Sequence, residues 1–484
     1  MKTAIHTALV LILLLASALQ AANNPAENLR VQQALRLFEE WADATVAYEH
    51  IPGASMGLVL DQQLIWSKGF GYADRDQRIP ATPDTLYGIC SISKLFTAIS
   101  VMQQRDAGKL KLDDPVSLYL PYVSLKPASE DDSPVTIRSL LTHSSGLPRE
   151  SDHPYWTDPD FIFPTKEEVI AGLAREKMLY PADRYYQYSN LGMTLAGEIV
   201  EKVTGKPYEE YVENAILKPL SLSHTTPFLP EAERGKLLAT GYGSLTREGN
   251  RDVMPFYRAR GITPAAGFAP NVKDLAAFAS WQFRLLDKGE AEVLKASTLR
   301  EMQRVHWVDP DWKTTWGLGF SVRQVDDQTI VSHSGQCPGY FTTFVLNPRE
   351  KTAAVVMINA MNVDPRSFAL QLFKIVGPAL REAKGSAGAR AAAPDPSMEA
   401  FTGLYGSAWG EWVVVPWKDG LATLGLPSRD PMNELTLLKR IEGNIFRRIR
   451  EDSDDLGEEV VFEAGPDGKV TRALWEQNYS RKVR

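Results

Sequence analysis

The sequence predicts an α+β protein: an α/β sandwich in which helices flank one antiparallel sheet, followed by a small all-β domain. Strand-like runs occur before residue 72 and again after residue 315, and helical patterns occupy much of the chain between them. This order favours an antiparallel sheet that carries a helical insertion. After residue 396, short apolar runs alternate with Asp-Gly and Gly-Asn turns, which is typical of a meander of hairpins and indicates a barrel-like domain.

The composition is that of an ordinary globular protein, since 44% of the 484 residues are hydrophobic and 23% are charged. A chain of this length has room for two or three domains. The formal charge of −7, with no basic cluster, argues against nucleic acid or an anionic membrane surface as a partner.

Residues 1–22 have the pattern of a secretory signal peptide, with Lys2 as the positive start and an apolar core over residues 8–15. Small residues place the cleavage site at residues 16–18 or after Ala21. The alternative, an uncleaved membrane anchor, is disfavoured by the short apolar core. No later run is long enough to cross a bilayer, so we expect the mature protein to be periplasmic or secreted.

The first elements follow from their apolar spacing. Residues 31–48 have helical periodicity, and the runs 54–60 and 63–71, joined by a short polar turn, predict a β-hairpin. A helix is predicted to begin around residue 91 and to end at Gly108. Its predicted buried face consists of Ile92, Leu95, Phe96, Ile99 and Met102.

The remaining elements complete both predicted domains. The clearest helices of the insertion are 191–203 and 272–286, and a closing helix is predicted to end near Gly377. The strands predicted between them are 316–322, 329–333, 341–346 and 353–358. The first domain is therefore 23–382, a linker rich in small residues and proline covers 383–396, and the β domain is 397–484.

Ser91 and Lys94 are the first candidates for chemistry. Ser91 is predicted at the first turn of a buried helix, where free N–H groups and the helix dipole stabilise an oxyanion. Lys94 shares its face, and burial would lower the lysine pKa so that a neutral amine can accept the serine proton. By itself a Ser-x-x-Lys pattern is weak, since a capping serine and a solvated lysine give the same letters.

Two later segments add to this pair. Tyr188 and Asn190 lie just before a predicted helix, and their alternate spacing lets a phenol and an amide face one cleft; Asn190 is also a plausible helix cap. His333 and Gly335 end a predicted strand, and Gln336 follows. A strand edge there can pair with a substrate backbone, and the N–H groups of Ser91 and Gln336 can form an oxyanion hole; alternatively, these are ordinary strand and bulge residues.

Together, the three segments resemble the serine β-lactamase and penicillin-binding-protein superfamily, whose pattern includes Ser-x-x-Lys and Lys-Thr-Gly. They are most similar to its class C β-lactamase-like branch, which has Tyr-x-Asn as the middle motif and often His-x-Gly as the third. The flanking residues 140–148, 197–205 and 316–320 agree with this resemblance, which covers about residues 30–380. The tail is similar, more weakly, to the lipocalin-like β domain found after some of these hydrolases.

The resemblance implies acyl-enzyme chemistry. Ser91 attacks a carbonyl, Lys94 and Tyr188 share the general-base and general-acid roles in an order left open, and water hydrolyses the ester. The expected protein is a secreted serine hydrolase acting on esters, amides or D-amino-acid peptides. The alternatives are a β-lactamase or D-alanyl-D-alanine carboxypeptidase and, in another class, a penicillin-binding sensor that is acylated without turnover.

One departure from the family pattern bears on the substrate. A lysine in the third motif would be a fixed cation that attracts a carboxylate, whereas His333, with an ordinary pKa of about 6.5, is largely neutral at pH 7. We therefore expect a weaker preference for carboxylate-bearing substrates. Arg366, just after the last strand of the sheet, is a candidate for the missing charge. The alternative is that Arg366 is an ordinary surface arginine.

Cys90 and Cys337 are the two cysteines of the chain. If the N–H groups of Ser91 and Gln336 converge on one oxygen, the cysteines can fall within the roughly 4.4–6.8 Å Cα separation of a disulfide. Some class A carbapenem-hydrolysing enzymes have bridged cysteines at similar positions. Two buried free thiols are the alternative.

The remaining expectations concern partners. His143 is expected to be structural, the histidines lack the spacing of zinc ligands, and no metal or cofactor is expected. The expected partner is a small-molecule or peptide substrate. The C-terminal domain, which has no catalytic constellation, is expected to cover the active-site mouth or to mediate a homo-oligomer.

Overall fold

The structure is a computed structural model that describes residues 25–123, 133–325, 327–385, 395–450, 452–453 and 455–484. The predicted signal peptide and most of the predicted linker lie outside these residues. The chain divides into two units, one of them His50–Ala369 and the other formed by the chain up to Glu49 together with Leu370–Arg484. The domain limits derived from the sequence stay a prediction.

An antiparallel sheet organises the unit His50–Ala369. Its strands are β1 (Gly53–Leu60), β2 (Gln63–Asp74), β3 (Ile79–Pro80), β4 (Ala291–Glu292), β5 (Leu294–Lys295), β6 (Trp307–Val308), β7 (Thr315–Trp316), β8 (Ser321–Val325), β9 (Gln328–Cys337), β10 (Tyr340–Asn347) and β11 (Thr352–Ile358). Strands β4 and β5 pair with each other, and the others form one sheet of order β3-β2-β1-β11-β10-β9-β8-β7-β6. The early strands thus pair with the late ones, which confirms the predicted antiparallel sheet with an insertion.

Helices and short turns of helix make up most of that insertion. The α-helices are α2 (Ser93–Asp106), α3 (Ile137–Leu141), α4 (Lys166–Gly172), α5 (Asn190–Thr204), α6 (Tyr208–Val212), α7 (Thr263–Ala266), α8 (Val272–Lys288) and α9 (Ala296–Met302), and α1 (Leu29–Tyr48) precedes the sheet. The shorter turns are Pro25–Glu27, Cys90–Ile92, Val116–Leu118, Glu213–Leu217, Glu231–Glu233, Arg260–Ile262 and Pro396–Phe401. One apolar core joins the helices of the insertion, α2 to α9, to one face of the sheet.

Helix α2 is central to this core because its predicted apolar face is fully buried. Phe96 stacks on Phe268 with ring centroids 4.9 Å apart, and it lies equally close to Phe278 of α8. The helix begins at Ser93 and not at residue 91, because Cys90 has a φ of 52° that an α-helix does not accommodate. Ser91 therefore lies in the 3₁₀ turn Cys90–Ile92, directly before the helix.

The second unit contains an eight-stranded closed barrel. Its strands are β12 (Gly403–Ser407), β13 (Gly410–Trp417), β14 (Gly420–Leu426), β15 (Thr436–Glu442), β16 (Ile445–Ile449), β17 (Leu456–Ala464), β18 (Val470–Trp475) and β19 (Asn478–Lys482). Aromatic rings fill its interior, with Phe401, Phe446 and Phe462 in mutual contact. Helix α10 (Pro365–Gly385) crosses the boundary between the units in sequence. No helix in the described part of the chain has the length and apolarity to cross a bilayer.

Two other predicted boundaries were also wrong. Helix α10 does not end near Gly377 but continues through Pro378 to Gly385. Apolar residues beyond the proline, such as Leu380, are still buried, so packing carries the helix past a residue that removes one hydrogen bond. The predicted strand 316–322 is two strands, because Gly319 adopts a φ of 87° and turns the chain between β7 and β8.

Candidate active site

Lys94 is completely buried, and its amine lies beside Ser91. The Nζ atom is 3.1 Å from Ser91 Oγ, 2.6 Å from Asn190 Oδ1 and 2.8 Å from the backbone carbonyl oxygen of Ala265 in α7. Burial is the main cause that lowers the pKa of Lys94 well below 10.5; the charge of Arg149 adds to the effect and that of Glu150 opposes it. The structure thus brings Ser91, Lys94 and Asn190 together around one amine.

Tyr188 completes the group. Its phenol shares a hydrogen bond with Ser91, and Lys94 Nζ lies 5.0 Å from the centroid of its ring. Burial raises the pKa of Tyr188 above its ordinary value of 10.0, and the hydrogen bond with Ser91 opposes the shift. The phenol therefore keeps its proton at neutral pH, while the neighbouring amine gives its proton up more readily than an exposed lysine.

The loop after α3 holds the segment that carries Tyr188. The backbone N–H of Gln187 donates to the carbonyl of His143 at 2.7 Å, and the N–H of Ser189 donates to His143 Nδ1 at 3.2 Å. The His143 ring also packs against the Tyr188 ring in a tilted arrangement, with centroids 4.3 Å apart. Burial, reinforced by the charge of Lys94, lowers the pKa of His143 well below 6.5. A neutral, fully buried His143 thus positions Tyr188.

Asn190 is the first residue of α5 but does not cap it, which excludes the capping alternative. The cap is Ser189, whose hydroxyl accepts a hydrogen bond from the N–H of Gly192 at 2.8 Å. The Asn190 side chain instead lies between Lys94 and Glu150, and its Nδ2 donates to Glu150 Oε1 at 2.6 Å. One amide proton is thereby used within the protein; binding of a substrate carbonyl by Asn190 stays a prediction.

His333 is a buried, neutral side chain. Its Nδ1 lies 2.8 Å from the carbonyl oxygen of Ser334, which identifies Nδ1 as the protonated nitrogen. Burial, reinforced by the charge of Lys94, lowers the pKa of His333 to about 3. Trp316 packs edge-on against both His333 and His143, with centroids 5.7 Å and 5.2 Å away. The third motif therefore presents no cation at neutral pH.

Strand β9 runs past His333 to Cys337 and does not end at the third motif as predicted. Residues 328–332 of β9 pair with β8, and residues 333–337 pair with β10. On the side facing away from β10, residues 333–337 therefore have no neighbouring strand in the described chain. Gly335 is required here, because a Cβ at that position would lie 2.1 Å from the carbonyl oxygen of Ile89. The glycine lets the strand approach the turn that carries Ser91.

A disulfide joins Cys90 to Cys337, with their Cα atoms 5.7 Å apart. The disulfide connects the residue before Ser91 to the residue after Gln336. Each of the two residues proposed for the oxyanion hole is therefore next to a disulfide-bonded cysteine in the sequence. The phenol of Tyr257 donates to the sulfur of Cys337 at 2.8 Å. The converging N–H groups of Ser91 and Gln336 remain a prediction, which this arrangement supports.

Arg366 is not among the charges that act on the central side chains. Its pKa is lowered by burial and by the charge of Arg323, and Asp364 opposes the shift. The cation whose charge reaches Lys94 and Tyr188 is Arg149, whose guanidinium carbon lies 5.1 Å from the ring centroid of Tyr188. The expected role of Arg366 in substrate binding stays a prediction.

Sequence reasoning missed four participants: Arg149, Glu150, Ala265 and Trp316. Arg149 and Glu150 directly follow residues 140–148, the segment that resembles the family. A basic and an acidic residue next to each other at that point could have marked them as candidates. Ala265 contributes a backbone carbonyl, which leaves no trace in a side-chain pattern. Among the described residues, no group of three or more His, Cys, Asp or Glu side chains is placed to hold a metal ion.

Comparison with protein families agrees with this geometry. The model of the family described as Beta-lactamase matches residues 38–373, well over half of the chain. The matched region contains every residue of the site.

The chain belongs to the beta-lactamase family.

Curated relatives of this beta-lactamase-family chain include Protein flp of Staphylococcus aureus strain MRSA252, which is 28% identical over 320 residues. That alignment covers 64% of this chain and 60% of the relative. The chain thus spans less than two thirds of the length of the curated relatives it matches.

Solved structures show the same fold. An octameric penicillin-binding protein homologue from Pyrococcus abyssi has a TM-score of 0.62 and 27% identity, over 92% of this chain and 99% of that protein. A D-stereospecific amidohydrolase from Streptomyces sp. has a TM-score of 0.55 and 24% identity, over 67% of this chain and 94% of that protein. The first match extends over nearly the whole chain.

Proposed function

We propose that this protein is a secreted serine hydrolase that forms an acyl intermediate at Ser91 with esters, amides or D-amino-acid peptides. The observation that carries the proposal is the buried Lys94 amine, 3.1 Å from Ser91 Oγ, whose two other close partners are carbonyl oxygens. Secretion is proposed on the pattern of residues 1–22.

Lys94 is the base for acylation. A neutral amine has two protons, and the oxygens of Asn190 and Ala265 accept both of them, so its lone pair faces Ser91. The hydroxyl proton moves to Lys94 as the bond between Oγ and the substrate carbonyl carbon forms. The depressed pKa keeps a useful fraction of the amine neutral near physiological pH.

Tyr188 is the acid for the leaving group. Its raised pKa keeps the phenol protonated until the bond to the leaving group breaks, when the phenol donates its proton to the departing oxygen or nitrogen. The proton held by Lys94 then neutralises the phenolate. Water attacks the resulting ester at Ser91 and returns the hydroxyl.

The neutral third motif supports substrates without a carboxylate at that position. His333 has a pKa of about 3, so it carries no charge under working conditions, where a lysine would attract an anion. The structural likeness to a D-stereospecific amidohydrolase supports amides of D-amino acids as one class to test first.

The test is intact-mass measurement after incubation with short esters, D-amino-acid amides and β-lactams, followed by peptide mapping of the adduct. We expect an adduct on Ser91 and turnover of matched carboxylate and methyl-ester substrates at similar rates. Ser91→Ala should abolish both the adduct and the turnover. Full activity of Ser91→Ala would overturn the proposal.

A β-lactamase or a D-alanyl-D-alanine carboxypeptidase is the second candidate, because the matching family carries the first of these names. One observation favours it: the charge of Arg323 helps to lower the pKa of Arg366, and it opposes the burial that raises the pKa of Tyr186, which packs against Trp316 in the site. Guanidinium groups near a substrate suit an anion. Strict dependence of turnover on a substrate carboxylate, lost in Arg366→Gln, would favour this candidate. A burst of acylation without turnover would instead indicate a penicillin-binding sensor.

Assembly of this chain into a homo-oligomer is supported by the octameric Pyrococcus homologue, which is similar over nearly the whole chain. Light scattering of the full chain tests it, and a mass equal to one chain at micromolar concentration would count against it.

A further inference from the structure

Glu150 lies next to the catalytic group without contacting Ser91. Its Oε1 atom accepts a hydrogen bond from Asn190 Nδ2 at 2.6 Å, and the Arg149 guanidinium approaches the same atom at 3.3 Å. Its other carboxylate oxygen accepts a hydrogen bond from the phenol of Tyr155. The carboxylate is therefore held by three donors, and its side chain is 18% exposed.

The amide of Asn190 has two orientations that fill nearly the same volume. In the observed one, Oδ1 faces the amine of Lys94 and Nδ2 faces Glu150. In the reversed one, Nδ2 would donate to the lone pair of Lys94, and that lone pair would no longer be free for Ser91. A base at Lys94 therefore requires the observed orientation.

We propose that Glu150 is a positioning residue that selects this orientation of Asn190 and so keeps the lone pair of Lys94 directed at Ser91. An ionised carboxylate only accepts hydrogen bonds, so it pairs with Nδ2 and repels Oδ1 of the reversed amide. A neutral amide at position 150 would pair with either orientation. The inference rests on the proposed acylation of Ser91 and adds a residue to it.

Charged and titratable groups on several segments surround Lys94, and they matter for the test. The loop after α3 contributes His143, Arg149 and Glu150. Tyr188 comes from the segment before α5, and His333 comes from β9. The charge of Glu150 raises the pKa of Lys94 and that of Arg149 lowers it. Removing the charge of Glu150 therefore lowers the pKa of Lys94.

The experiment measures kcat/KM against pH for the wild type, Glu150→Gln, Asn190→Ala and the double variant, all as full chains with an ester shown to acylate Ser91. In Glu150→Gln we expect the plateau to fall about tenfold, the size of one charged hydrogen bond, and the acid limb to move to lower pH. In the Asn190→Ala background, Glu150→Gln should change the plateau less than about twofold, because Glu150 acts through Asn190.

Tyr155→Phe is the matched control, since it removes a different hydrogen bond to Glu150 and leaves the one from Asn190 in place. We expect its plateau and acid limb to match the wild type. Additive losses in the double variant, or the same loss in Tyr155→Phe, would overturn the positioning role. If Ser91 of the wild type is never acylated, the proposed function itself fails, which is a separate outcome.

Discussion

A lysine without exposed surface determines the chemistry at the scale of single residues. Burying an ammonium is costly, and burial therefore lowers the pKa of Lys94, whose amine lies close to three oxygen atoms. The same burial raises the pKa of Tyr188. Burial thus moves the two pKa values in opposite directions, and each shift favours the uncharged form, which suits Lys94 as a base and Tyr188 as an acid.

Lys94→Arg tests this directly. Arginine keeps the positive charge but does not lose its proton in proteins, so it supplies no base. We expect acylation of Ser91 to fall by about 10²–10⁴-fold, as for loss of a general base. Stopped-flow measurement of adduct formation checks it. Lys273→Arg, at a half-exposed lysine that pairs with Asp84, is the control and should leave the rate unchanged.

The pH profile is a second residue-scale prediction. Activity needs neutral Lys94 and protonated Tyr188, so kcat/KM rises as Lys94 loses its proton, at a pH well below 10.5, and falls only above pH 10 as Tyr188 ionises. His333, with a pKa of about 3, should add no step near neutrality. A limb near pH 6.5 that disappears in His333→Gln would contradict the assignment.

Spacing made Ser91 and Lys94 candidates, and the resemblance of three segments to one superfamily joined them to Tyr188 and Asn190 in a single predicted site. The residues that contact and position these side chains could not be predicted from spacing. Glu150 meets Asn190 across 40 positions, and the Ala265 carbonyl meets Lys94 across 171. Such contacts depend on how distant loops pack, and one sequence carries no record of that packing.

At the scale of elements, Gly335 determines how closely β9 approaches the Ser91 turn. In Gly335→Ala the new Cβ would meet the Ile89 carbonyl, which is backbone and cannot rotate away. We expect the free energy of unfolding, measured by urea titration, to fall by about 1–3 kcal/mol or more. We also expect a lower kcat for ester turnover. Gly425→Ala, where the added Cβ meets nothing within 4 Å, should stay within about 0.5 kcal/mol. Equal stability of both variants would contradict this packing.

The Cys90–Cys337 disulfide joins the same two elements across 247 positions. Its loss should lower the free energy of unfolding by about 2–5 kcal/mol. It should also lower kcat, because the turn and the strand are then held by packing alone. The double variant Cys90→Ser, Cys337→Ser tests both effects, and reductant should affect the wild type but not this variant. Unlinked thiols in the mass spectrum of the unreduced wild type would remove the prediction.

Periodicity predicted the element types well where one face is buried, as for α2 and β11, and less well at boundaries. The predicted stop near Gly377 assumed that a glycine and a proline end a helix, whereas buried residues beyond Pro378 keep α10 helical. In the barrel, the apolar runs of the sequence do not mark β12, β15 and β19, because the apolar residues of these strands are few or are separated by charged and small ones.

At the scale of the whole molecule, sequence order and spatial grouping differ. The first helix, α1, belongs to the unit that contains the barrel, although some 350 residues separate them. Trp41 Nε1 donates to the carbonyl of Ser428 at 2.9 Å, and Arg36 pairs with Glu399 at 2.7 Å. Short-range patterns cannot show that an N-terminal helix packs on a C-terminal barrel, so the helical spacing of residues 31–48 carried no sign of these contacts.

These contacts predict that the barrel stays bound after the chain is cut. After cleavage at a protease site placed between residues 386 and 394, residues 395–484 keep their contacts with α1 and with the later part of α10, where Lys374 pairs with Asp430 at 2.7 Å. We expect both fragments to co-elute in size-exclusion chromatography, because the buried Trp41 anchors the contact between α1 and the barrel.

Trp41→Ala should release the barrel fragment at lower urea concentration. Tyr122→Ala, at an exposed tyrosine of the other unit, serves as the control. Separation of the two fragments of the cleaved wild-type chain in plain buffer would show that α1 does not hold the barrel.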